Sequence, residues 1–147
     1  MGRQIVLLLC LLGTSFAQDL TLLASFRAEA DNFTFTAVQD PKQGWISSHR
    51  LMFGVMNTGV SPASCTVTVK EPFLVDGVQS KTLSIHRQIA WHQDAYTKID
   101  PESLVKFSVS FNPKAKGTFT SALGVVCSAA LASRKFPLPA TLTGIAK

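Results

Sequence analysis

Three histidines, three cysteines and one loose group of carboxylates are the residues here with chemistry to offer. A zinc site draws its ligands from Cys and His in short paired spacings. His49, His86 and His92 form no such pattern with Cys10, Cys65 and Cys127. Cys127 is followed by neither the His nor the Met that a blue-copper strand supplies. No G-x-S-x-G elbow presents a serine. As a nucleophile, Cys127 would sit on the apolar parity of a strand, where a thiolate is costly. Asp94, Asp100 and Glu102 gather around a turn, where Asp is favoured for backbone reasons. They lack the regular spacing of a Ca²⁺ loop. The expectation is a protein with no catalytic residues, no metal and no cofactor. Recognition remains. Trp91 adjoins the run from His92 to Lys98, which holds the single tyrosine, Tyr96. Mixed aromatic and polar loops serve as contact surfaces; the alternative is a connection whose Trp91 caps the core.

These residues belong to a chain that opens on an address. Arg3 supplies a positive start, Ile5 to Leu12 an apolar run, and Ser15-Phe16-Ala17 the small residues of a cleavage site. The run is shorter than the roughly 20 residues that cross a bilayer, and no later stretch is apolar for as long. Residues 1–17 are therefore read as a signal peptide. Residues 18–147 are read as one domain without a transmembrane segment, secreted or held in the secretory lumen. That length builds one hydrophobic core and not two. Losing Arg3 lowers the formal net charge from +5 to +4. Lys42, Lys70, Lys81, Lys98, Lys106 and Lys147 are scattered singly, and only Arg134-Lys135 and Lys114/Lys116 are close pairs. Nucleic-acid binders concentrate charge on a stripe with stacking aromatics, so no nucleic acid is expected. Cys10 leaves with the leader, and Cys65 and Cys127 remain, an even number for an oxidising compartment. Asn32-Phe33-Thr34 is an N-glycosylation acceptor, which makes Asn32 a candidate glycan site.

Period-two alternation runs through the domain itself. Val105, Phe107, Val109 and Phe111 alternate with Lys106, Ser108 and Ser110. Phe33, Phe35 and Ala37 alternate with Thr34 and Thr36, and Cys65, Val67 and Val69 with Thr66, Thr68 and Lys70. Such strands bury one face and wet the other. Leu51, Phe53 and Val55 share a face, while Met52 and Met56 make the opposite face apolar too, as in a central strand. Phe73 to Val78, with Asp76-Gly77, reads as a short edge or a turn. Seven to eight short strands separated by turn signals predict an all-β, immunoglobulin-like sandwich.

Three motifs sharpen that prediction. Asn57-Thr58-Gly59 with Pro62 separates two strands. Val109-Ser110-Phe111-Asn112-Pro113 precedes Gly117-Thr118-Phe119. Leu138-Pro139-Ala140-Thr141-Leu142-Thr143-Gly144 closes the chain. Together they resemble the ASH family, the abnormal-spindle, SPD-2 and hydin domains related to major sperm protein and the PapD-like chaperones. The resemblance covers roughly Gly44 to Ala146 and implies a PapD-like antiparallel sandwich that serves as an adaptor or structural module. A signal peptide departs from that family's cytoskeletal setting. In the implied topology the third and sixth strands are antiparallel neighbours. Cys65 opens one and Cys127 closes the other, so the resemblance implies a Cys65–Cys127 disulfide, the alternative being two buried thiols.

The expected function is that of a non-enzymatic structural or protein-interaction module of an extracellular or lumenal assembly. Its protein partners are joined by edge-strand pairing or self-assembly. Two alternatives stay open. One is a carrier of a small apolar ligand or lipid, with a pocket between the sheets lined by some of the ten phenylalanines. The other is a glycan-binding module that uses exposed Trp45 or Trp91.

Overall fold

The structure, a computed structural model, describes residues 20–24, 33–87, 103–133 and 136–147. These form eleven strands: β1 (Leu20–Ala24), β2 (Phe33–Asp40), β3 (Gly44–Ser47), β4 (Leu51–Asn57), β5 (Ala63–Thr68), β6 (Phe73–Val75), β7 (Ser80–Ile85), β8 (Leu104–Phe111), β9 (Gly117–Cys127), β10 (Leu131–Ser133) and β11 (Ala140–Ala146). Three of them, β3, β6 and β10, have only three or four residues and account for the excess over eight. The alternation in the sequence is the alternation in burial. Phe33, Phe35 and Ala37 point inward from β2, and Phe107, Val109 and Phe111 from β8, while Thr36 and Lys106 are exposed.

The strands form two sheets, ordered β10-β1-β4-β8-β6 and β3-β2-β11-β9-β5-β7. β4 lies in the middle of the first, the central place its apolar faces led us to expect. β9 is long because it serves two partners. Gly117 to Leu123 pair with β11, and Gly124 to Cys127 pair with β5. Two pairings are parallel, β1 with β10 and β2 with β11, an addition to the antiparallel sandwich expected. Alternation has the same period in either polarity, so sequence patterning does not distinguish them.

Phenylalanine fills the space between the layers. Phe136, Phe33, Phe53 and Phe107 make one run of ring contacts, with centroids 5.2, 5.4 and 5.3 Å apart. Phe35, Phe73, Phe111 and Phe119 make a second, at 5.8, 5.2 and 6.1 Å. Both runs cross from one sheet to the other, and each such pair adds about 0.5–1.5 kcal/mol beyond area burial. The Phe111 ring lies against the backbone of Gly144, where an added Cβ would come within 2.6 Å of three ring carbons. That close approach is why a glycine stands in the middle of β11.

Buried polar groups are tied off locally. Asn57, 1% exposed, ends β4. Its Oδ1 accepts from the Gly59 amide at 2.9 Å, and its Nδ2 donates to the Ser61 carbonyl at 2.8 Å. The Asn-x-Gly motif is thus a side chain shaping the loop between β4 and β5 while satisfying itself, an Asx-type device. Ser121 takes an inward position on β9; its hydroxyl accepts from the Lys70 amide and donates to the Ala122 carbonyl, both at 2.9 Å.

Candidate functional site

The Trp91/Tyr96 loop and Asn32 lie outside the described residues. Cys65 and Cys127 face each other across β5 and β9 and are joined by a disulfide that spans 62 positions of sequence. Cys65 is buried in the core cluster and Cys127 is half-buried against it. The two histidines within the described residues are apart in role. His49 stacks on Phe35 at 5.3 Å and shares a 2.7 Å hydrogen bond with the Ser48 hydroxyl. His86 is exposed at the end of β7. No group of three His, Cys, Asp or Glu side chains able to hold a metal occurs among the described residues. Trp45 is half-buried and packs on the core, so its indole is not a free platform for a sugar ring.

The sheet edges differ in how they end. β6 borders the first sheet, but its outward amides are already used. Phe73 donates to the Lys70 carbonyl at 2.9 Å, and Val75 and Val78 exchange a pair of bonds at 2.6 and 3.0 Å. The Asp76-Gly77 turn makes this possible, since both residues have positive φ, 46° and 83°, as a two-residue hairpin requires. Asp76 is itself pinned. Its Oδ1 accepts from the Ser108 amide and hydroxyl, each at 2.9 Å, and its Oδ2 from Lys81 Nζ at 2.7 Å.

β7 borders the second sheet and, among the described residues, is open. The Val69 amide donates to the Gln79 carbonyl. In an antiparallel ladder this fixes Val67/Lys81, Cys65/Leu83 and Ala63/Ile85 as the hydrogen-bonded pairs. The amides and carbonyls of Ser80, Thr82 and Ser84 therefore point away from β5, and none has a backbone partner among the described residues. Their side chains are small and uncharged. Nothing in the sequence marked this edge, because the outward direction depends on which neighbour β5 chooses on each side.

A cleft of about 430 Å³ opens at one end of the sandwich, floored by Pro72, Leu74 and Phe119 and rimmed by Glu71 and Lys114. It lies between the β5–β6 link and the β8–β9 turn, with Leu74 of the first sheet and Phe119 of the second in its lining.

No helix of the described residues is long and apolar enough to cross a membrane. No family model matches the chain, and no curated protein matches it in sequence. Among solved structures it is similar to the ASH/PapD-like domain of human CEP192 (PapD-like domain 7), with 15% identity and a TM-score of 0.45 over 86% of this chain and 84% of that one. It is also similar to a two-domain protein of unknown function from Bacteroides fragilis, with 9% identity and a TM-score of 0.49, over 95% of this chain and 49% of that one. The described residues themselves form an all-β sandwich of two sheets, as the alternation in the sequence implied.

Proposed function

We propose that the protein is a secreted, non-enzymatic structural or interaction module that joins a protein partner by strand addition along β7. The observation that carries this reading is the row of outward amides and carbonyls on Ser80, Thr82 and Ser84, a ready template for another strand. Export is supported by the leader-like residues 1–17 and by the disulfide, which persists in oxidising compartments. Glycosylation at Asn32 belongs to the same proposal. The ring-to-ring packing of the phenylalanines between the sheets favours this reading over an apolar-ligand carrier, although the Phe119 ring also lines the end cleft.

Proline separates edge pairing from folding. At Thr82 the amide faces away from β5, so Thr82→Pro removes a donor only from the open edge. At Leu83 the amide faces β5, so Leu83→Pro breaks the ladder itself. The expected result is a partner cross-linked to the wild type in native extracts and lost with a folded Thr82→Pro. Equal capture by both, or recovery of the wild type only as a free monomer, refutes strand addition here.

A further inference from the structure

The lysines scattered along the sequence are gathered by the fold. β2 and β11 run the same way, so Asp40 and Lys147 finish at one end of the sandwich. β9 begins there, with Gly117 opposite Ala146. The β2–β3 turn brings Lys42 to this end, and the β8–β9 turn brings Lys114 and Lys116. Lys70 and Glu71 arrive by the β5–β6 link, where the Pro72 carbonyl accepts from the Asn112 amide at 2.8 Å. Arg50 precedes Leu51, which faces Val109 near the same end of the other sheet.

Six cations thus meet two acids, Asp40 and Glu71. Asp40 is occupied with its own turn, accepting from the amides of Lys42 at 2.7 Å and Gln43 at 3.0 Å. None of the six cations has an ion-pair partner among the described residues; the pair that does form, Lys81 with Asp76, involves neither of these acids. Lys116 and Lys147 each adjoin the last registered pair of β9 and β11, Gly117 with Ala146, which brings the two cations to the same end of that ladder. Like charges placed so cost stability, and an anion shared between them removes that cost.

We propose that this end of the sandwich binds a sulfated polysaccharide. The cations are spread over separate connections, which suits a linear polymer of repeating charge better than a single small anion. The turn tips, residues 41–43 and 112–116, carry no exposed large apolar side chain to enter a bilayer and no aromatic to stack on a base. Of the exposed large apolar side chains, Val60 and Val126 lie toward the opposite end, while Val38 and Ile46 pair on β2 and β3 two residues behind the Asp40–Gly44 turn. The proposal stands apart from strand addition along β7, and neither depends on the other.

Heparin serves as the probe for the full chain as secreted. The protein should be retained on immobilised heparin at an ionic strength of about 0.15 M. Lys114→Gln with Lys116→Gln should weaken binding about tenfold and flatten its salt dependence. Arg87→Gln with Lys106→Gln removes the same number of charges elsewhere and should leave binding unchanged. The Arg87/Lys106 variant should keep the wild-type melting temperature, and the Lys114/Lys116 variant should melt no lower, since it relieves the repulsion with Lys147. Equal loss in the two variants would reduce the effect to net charge and overturn the site. Absence of retention at that ionic strength would do the same, as would tighter binding to phosphatidylserine vesicles or duplex DNA.

Discussion

Gly144 shows how a single missing atom sets the distance between the layers. Its backbone lies against the Phe111 ring, so Gly144→Ala must displace an aromatic that also contacts Phe35, Phe73 and Phe119. Overpacking of this kind costs about 1–3 kcal/mol, and urea unfolding should show the loss with little change in slope. A milder cost, at the level of a glycine-to-alanine change in an open strand, would mean the ring swings aside freely. Asn57 and Gly144 both stood in recognisable motifs, yet their reasons were hidden. A sequence displays that a glycine recurs near the end of a strand; it does not display the ring lying over it. Trp45 marks the converse limit, since an indole on a four-residue strand carries no signal of whether it faces water or the core.

Among the elements, the turn that links β6 to β7 carries the most individual chemistry. Burial alone would raise the Asp76 carboxyl, but hydrogen bonds from Lys81 and Ser108, with the Lys81 charge, hold it below the ordinary carboxylate range. A carboxyl lowered on folding adds stability above its unfolded pKa and loses it as pH falls through the folded value. Acidification below about pH 4 should therefore cost the wild type stability that Asp76→Asn never had. Asn tolerates the same left-handed backbone, so the comparison isolates charge. At neutral pH the variant should be weaker by about 1 kcal/mol, and the two melting curves should converge in acid; parallel curves would remove the carboxylate from the account. The long strands β2, β8, β9 and β11 were legible because six or more alternating residues bury one face. β10 was not, for three half-buried residues beside β1 hold too short a pattern to read. β3 escaped for the same reason. The change of partner midway along β9 escaped for another, since side-chain period says nothing about which strand lies alongside.

For the molecule as a whole, the Cys65–Cys127 bond is the one covalent constraint the sandwich adds to its hydrophobic core. Closing a loop of this size stabilises by about 4 kcal/mol in the chain-entropy account. Cys65→Ala with Cys127→Ala should lose close to that amount in denaturant titration, and reductant should lower the melting temperature of the wild type but not of the double variant. Insensitivity of the wild type to reductant in denaturant would show the thiols unpaired. The gathered lysines also belong to this scale. They come from connections far apart in sequence, and the pairing of β2 with β11 is what brings them together. That same parallel pair has a mechanical meaning. Tension applied between Phe33 and Ala146 would load the five registered residues of β2 and β11 in shear, so their bonds resist together rather than unzip one by one. Once they slip, the chain extends only on either side of a closed ring, and everything between Cys65 and Cys127 keeps its length however hard the flanks are stretched.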